Sequence, residues 1–197
     1  MKSPSIRALG DRGIVVEFDE EPSRELTTLL VAMAETARSL DGVIDATPGH
    51  RTFLVETAPG EQESTLLRLR DLAGVTAEPI IGNLHNVSIV YDGPDLEWVC
   101  NHSGLSLEEL IRLHSDHTYD VRVIGSPGFI YLSEVASGIA APRLETPRGL
   151  VPEGSVGIGG RQTGIYGKTR PGGWRLIGRV ASVPEVRPGD QIQFKPT

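Results

Sequence analysis

The residues best suited to chemistry lie between Gly159 and Val180, in the stretch GGRQTGIYGKTRPGGWRLIGRV. Seven glycines there separate Gln162, Thr163, Tyr166, Trp174, Arg175 and Arg179. The planar guanidinium of Arg179 suits a carboxylate or phosphate, which a lysine would hold less specifically. Amide donors such as Gln162 can stabilise a developing oxyanion. Pockets combine apolar walls with a few convergent polar groups. Phe129, Tyr131 and Tyr166 supply such walls, and Gln162, Thr163 and Arg179 supply the polar groups. These residues could line either a ligand pocket or a subunit interface. A purely structural use competes with both: Phe129 and Trp174 fill a core, prolines and glycines fix turns, and arginines cap carbonyls. For Gln162, Thr163 and Arg179 the functional use is favoured, because a barrel has little structural need of them.

Several chemistries are disfavoured by spacing. Gly-x-x-x-x-Gly-Lys-Ser/Thr does not occur, and Gly167-Lys168-Thr169 lacks the upstream glycine and a following helix. His85, His102, His114 and His117 do not have zinc spacing, and Cys100 is the only cysteine. Ser126-Pro127-Gly128 is not a nucleophile elbow, since Gly-x-Ser-x-Gly is missing. No general base can be assigned.

Charge and composition narrow the partners. The net charge of −7 argues against a nucleic-acid surface. Yet Arg143 to Arg179 carries seven basic and two acidic residues, a positive island that can attract a small anion or an acidic partner. A lone cysteine suits a reducing cytoplasm, where Cys100 reads as a small buried apolar side chain on a helix. No apolar run of about 18 residues exists to span a membrane, and Met1 to Ser5 has no apolar signal core.

The elements that must position these residues fall into two halves, 1–82 and 83–197. In the first, Ile6 to Phe18 reads as a hairpin turning at Gly10-Asp11. Pro22 to Leu40 is a helix burying Leu26, Leu29, Leu30, Met33, Ala37 and Leu40 at three-to-four spacing. Strands at Val43 to Ala46 and Thr52 to Val55 follow, then a helix from Glu61 to Ala73 with Leu66, Leu69 and Ala73 inward. The pattern predicts a small α+β domain with helices on one sheet face. Pro79 and Gly82 mark the boundary. In the second half, Val87 to Tyr91 is a strand and Leu96 to Cys100 a short helix. Ser106-Leu107-Glu108-Glu109 is a capping box opening another helix. Short strands punctuated by glycine and proline follow, at Val121 to Ile124, Ser155 to Ile158, Trp174 to Val180 and Gln191 to Phe194. They read as a closed all-β unit. Pro188-Gly189 fits the centre of a type II turn.

The glycine-rich stretch resembles the signature of the 5-oxoprolinase B-subunit family, also described as allophanate hydrolase subunit 1 or as the Kip-type inhibitor of a sporulation histidine kinase. The pattern Gly-Gly-x-Gln-Thr-Gly-Ile-Tyr, then Pro-Gly-Gly-Trp-x-Leu-Ile-Gly-Arg, is met from Gly159 to Tyr166 and from Pro171 to Arg179. The resemblance runs from Gly10-Asp11 to Arg187-Pro188-Gly189-Asp190. It takes in Pro127, Phe129 and Tyr131, then Arg143 and Arg148, with His114 at the family's helix-end histidine. The segment around Ser126 departs from the family, lacking the usual aromatic after Gly125. The resemblance implies a cyclophilin-like β-barrel for the second half. It also implies a non-autonomous member of a cytoplasmic, ATP-dependent complex that hydrolyses 5-oxo-L-proline to L-glutamate. The implied partners are two further 5-oxoprolinase proteins, one like the A component and one like the C component, the latter of the allophanate hydrolase subunit 2 family. A lactam is an unreactive amide, so coupling to ATP is chemically sensible, with no P-loop in this chain to hold the nucleotide. Inhibition of a histidine kinase and allophanate hydrolysis are the alternatives. The implied substrate or interface pocket comprises His114, Pro127, Phe129, Tyr131, Arg143, Arg148, Gln162, Thr163, Tyr166, Trp174 and Arg179, with no metal.

Overall fold

The computed structural model describes residues 3–72 and 82–197, and the chain divides into two compact units, Met1–Ile81 and Gly82–Thr197. The predicted boundary at Pro79 and the inward Ala73 lie outside the described residues.

The first unit is built on an antiparallel sheet. Its strands are β1 (Ser5–Leu9), β2 (Gly13–Glu17), β3 (Val43–Pro48) and β4 (Thr52–Thr57), ordered β1-β2-β4-β3. Gly10 turns the first hairpin with φ of 63°. Helix α1 (Arg24–Arg38) starts where the Ser23 hydroxyl accepts from Leu26 N–H at 3.1 Å. Its apolar face, Leu26, Leu29, Leu30, Met33 and Ala37, packs on Ile14, Val16, Phe53 and Val55. Helix α2 (Gln62–Leu72) adds Leu69 to the same core, while Leu66 and Leu40 are only half-buried against it.

The second unit contains a closed seven-stranded barrel. The strands are β5 (Leu84–Val90), β6 (Thr118–Gly125), β7 (Phe129–Glu134), β9 (Ser155–Gly159), β10 (Gln162–Tyr166), β12 (Arg175–Val180) and β13 (Gln191–Pro196). Round the barrel they run β10-β7-β6-β13-β5-β12-β9. All pairs are antiparallel except β13 with β5. Closure leaves no unpaired edge. Helix α3 (Leu96–Ser103) and helix α4 (Leu107–Ser115) connect β5 to β6. Ser106 and Glu109 form the predicted capping box, with Ser106 N–H donating to the Glu109 carboxylate at 2.9 Å. Before β13, Asp190 N–H donates to Arg187 C=O at 3.1 Å, and Gly189 has φ of 96°. That is the positive φ a type II turn demands after its proline. Cys100 is half-buried on α3, and burial pushes its thiol up.

An arm of two short strands, β8 (Arg148–Val151) and β11 (Arg170–Gly172), pairs separately. Strand alternation explains how it is seated. Successive side chains on a strand point to opposite faces. Ile130, Ile165 and Ile177 enter the main barrel core, while their neighbours Phe129, Tyr166 and Leu176 enter a second cluster with Val151 and Trp174. The glycine-rich stretch thus feeds two cores at once.

Candidate functional site

The second cluster forms the floor of a pocket of about 210 Å³. Phe129 lies at its centre. The Phe129 ring meets Tyr131 at 4.5 Å, Tyr166 edge-on at 4.7 Å and Trp174 at 4.9 Å between centroids. Phe129 and Trp174 are 2% and 4% exposed, so they fill a core and line a pocket together, combining the two uses read in the sequence. Gly172 lets the arm close over the floor, since a Cβ there would fall 2.2 Å from the Tyr166 hydroxyl.

Two arginines stand at this pocket. The Arg143 guanidinium lies 5.3 Å from the centre of the Trp174 ring, within cation–π range. Arg170 donates one hydrogen bond to Ser126 C=O at 2.7 Å. No acidic residue lines the pocket among the described residues. Burial pushes the Tyr166 phenol up, offset in part by the Trp174 backbone N–H and by Arg170 and Arg148. Tyr166 therefore keeps its proton at neutral pH. The pocket can hold negative charge, and it offers no carboxylate or imidazole to take a proton from water.

A second pocket, of about 370 Å³, includes Arg148, Leu150, Pro152 and Arg179. Its cations are engaged. Arg179 donates to Asp92 at 2.8 Å, and Arg148 donates to Asp95 at 2.8 Å. Asp95 also accepts from Leu176 N–H at 2.7 Å and lies 3.8 Å from Arg175. Arg175 in turn covers the Trp98 ring at 3.6 Å.

His114, Gln162 and Thr163 line neither pocket. His114 is fully buried inside the barrel. Its Nδ1 lies 2.7 Å from the Tyr91 hydroxyl, and its Nε2 lies 3.0 Å from Thr163 Oγ1. Thr163 has one hydroxyl proton and gives it to Gly157 C=O at 3.0 Å. His114 Nε2–H must then donate to Thr163, and Nδ1 must accept from Tyr91. The chain of hydrogen bonds ends at a carbonyl, so it fixes a tautomer and has no onward path for a proton. Burial, with a smaller contribution from His117, lowers the pKa of His114 from 6.5 to about 3. Gln162 donates to Leu132 C=O at 3.1 Å. The expectation that a barrel has little structural use for Gln162 and Thr163 is not met, because both satisfy backbone carbonyls of the wall. Pro127 follows a cis peptide bond in the β6–β7 turn, exposed and outside both pockets.

Of the residues singled out in the sequence, the structure brings Phe129, Tyr131, Arg143, Tyr166 and Trp174 to the first pocket, and Arg148 and Arg179 to the second. Sequence reasoning missed Arg170, which lies in the spacer between the two halves of the signature. Its one signal was membership of the positive island. Tyr91 was also missed as the partner of His114.

The chain resembles known proteins along nearly its whole length. A family described as carboxyltransferase domain, subdomain C and D, matches residues 4–184. The 5-oxoprolinase B subunit of Escherichia coli O157:H7 is 33% identical, covering 95% of this chain and 94% of that protein. The 5-oxoprolinase B subunit of Bacillus subtilis (strain 168) is 32% identical, covering 96% and 91%. The crystal structure of TTHA0988 is 34% identical with a TM-score of 0.82, covering 94% of this chain. This chain spans only 40% of that solved one. The fold and the matched residues place the chain in the carboxyltransferase subdomain C and D class. Within that class, it belongs to the 5-oxoprolinase B-subunit family.

Proposed function

We propose that this chain is the B subunit of a cytoplasmic, ATP-dependent complex that hydrolyses 5-oxo-L-proline to L-glutamate together with A-type and C-type partner proteins. The observation that carries the reading is the 33% identity to a 5-oxoprolinase B subunit over 95% of this chain. On this reading the barrel is of the cyclophilin-like type and supplies one wall of the working site.

The pocket chemistry supports a subunit that binds but does not complete the reaction. Opening a lactam with water needs a group to take the water's proton. The aromatic pocket offers arginines and a protonated Tyr166, and no base. Nor does Gly167-Lys168-Thr169 form a P-loop. The segment joins β10 to β11 and opens no helix, so it lacks the ring of N–H groups that cradles phosphates. ATP and the base are therefore assigned to the partner proteins.

Purification of this chain with its A-type and C-type partners, followed by measurement of glutamate release, tests the reading. Glutamate should appear only with all three chains and ATP. Turnover by this chain alone, or an assembled complex inert on 5-oxo-L-proline, would overturn it. A complex that fails to form while the chain blocks a sensor histidine kinase would favour the inhibitor reading instead.

A further inference from the structure

We propose that the aromatic pocket binds a small, flat, ring-bearing carboxylate, with Arg143 and Arg170 taking the carboxylate and Phe129, Tyr166 and Trp174 taking the ring. The choice of 5-oxo-L-proline as a probe rests on the function proposed above; the carboxylate class does not.

Charge pairing decides which cations are spare. In a chain of net charge −7, most arginines of the positive island already hold an acid. Arg148 and Arg175 share Asp95, Arg179 holds Asp92, and Arg161 holds Glu134. Among the described residues, Arg143 and Arg170 have no carboxylate partner, and both line the same pocket. A guanidinium has five N–H donors. Arg170 spends one on Ser126 C=O, which steadies the side chain and leaves the rest. Arg143 is steadied by the Trp174 ring, a contact that uses no N–H donor. The larger pocket has no such surplus, because both of its arginines are paired and Asp92 and Glu153 line it too.

Size and shape set the rest of the ligand. A volume of 210 Å³ equals roughly seven waters at about 30 Å³ each. That admits one substituted ring and is below the roughly 300–1,000 Å³ of drug-sized pockets. The floor is the faces and edges of buried rings, which suit a flat apolar body. At the rim, a Cβ on Gly173 would meet Pro147 Cγ at 3.5 Å and Leu144 O at 3.7 Å, ordinary contacts. The backbone there tolerates a Cβ, and any larger side chain would extend into ligand space.

The test is direct binding to the full chain, by ligand-observed NMR and calorimetry. The probes are 5-oxo-L-proline, 2-furoate as a flat carboxylate unrelated to the reaction, and 2-pyrrolidone as the lactam ring without a carboxylate. At least one carboxylate should bind, and 2-pyrrolidone should bind at least about tenfold more weakly. Arg143→Ala and Arg170→Ala should each weaken the carboxylate about tenfold or more. Gly173→Val should weaken it with an unchanged circular dichroism spectrum, and Arg161→Ala should not. No binding of either carboxylate by the folded chain overturns the proposal, as does equal binding of 2-pyrrolidone or indifference to both arginine changes. If only 2-furoate binds, the pocket stands and the 5-oxo-L-proline reading falls. If the assembled complex hydrolyses 5-oxo-L-proline with an unchanged KM in both arginine variants, the function stands and the pocket assignment falls.

Discussion

Mild acid should loosen the barrel through His114. The ring is fully buried between the Tyr91 and Thr163 hydroxyls, and its Nδ1 serves as an acceptor. A second proton would remove that acceptor and place a charge in an apolar core. Burial, helped by His117, therefore lowers the pKa to about 3 in the folded state. In the unfolded chain the imidazole returns to about 6.5. Between those values the unfolded state binds a proton that the folded state does not, so stability falls as pH falls. The contribution is fully present above about pH 6.5. The slope approaches about 1.4 kcal/mol per pH unit only below pH 6.5, so going from pH 7.5 to 5 costs about 2 kcal/mol. The Asp190 carboxyl does not blur this window. Burial raises its pKa, but hydrogen bonds from Asn83 and Arg187 N–H and from His85 outweigh that and hold it low. Its contribution is lost only below the ordinary carboxylate range, near pH 4. Urea unfolding followed by tryptophan fluorescence between pH 7.5 and 5 measures the effect. Trp98 and Trp174 are the only tryptophans, and both lie in the barrel unit. His114→Gln keeps a donor and an acceptor but cannot titrate in this range. The variant's pH profile should be flatter than the parent's by one histidine. Coincident slopes would refute the argument from burial.

Three substitutions test the remaining structural assignments. Thr163→Val keeps the shape but leaves the buried His114 Nε2–H without an acceptor. It should cost about 1–3 kcal/mol in urea unfolding, and no loss would refute a buried hydrogen bond between His114 and Thr163. Asp95→Ala strands Arg148 and the Leu176 N–H. It should cost about 3 kcal/mol, the low end for a broken buried pair, because Arg148 keeps some solvent. A loss below about 1 kcal/mol would show that the arm is held in other ways. Arg179→Ala breaks an ion pair whose side chains are 64% and 41% exposed. It should cost no more than about 1 kcal/mol, visible as at most a few degrees in Tm. A larger shift would make Arg179 a strut of the barrel instead of a candidate contact for ligand or partner.

What the sequence made legible was what short-range chemistry decides. The α1 face follows from apolar spacing, the α4 start from Ser106 and Glu109, and the last turn from Pro188-Gly189. Each depends on residues a few positions apart. Barrel closure does not, since it needs β13 to run parallel to β5 across about a hundred residues, and β10 to reach both β7 and β9. The same limit governs the site. Thr163 looked free for chemistry because its partners, His114 and Gly157, are brought to it only by the closed wall. The arginines looked equivalent because the acids that neutralise Arg148 and Arg179 sit on the far side of two helices in the chain. Asp92 and Asp95 close on them across 87 and 53 positions. Folding sorts the positive island into arginines that hold the arm and arginines left facing a pocket. A count of charges reveals that the island exists. Only the pairing reveals that its surplus arginines are Arg143 and Arg170, one of them in a spacer that the signature leaves unspecified.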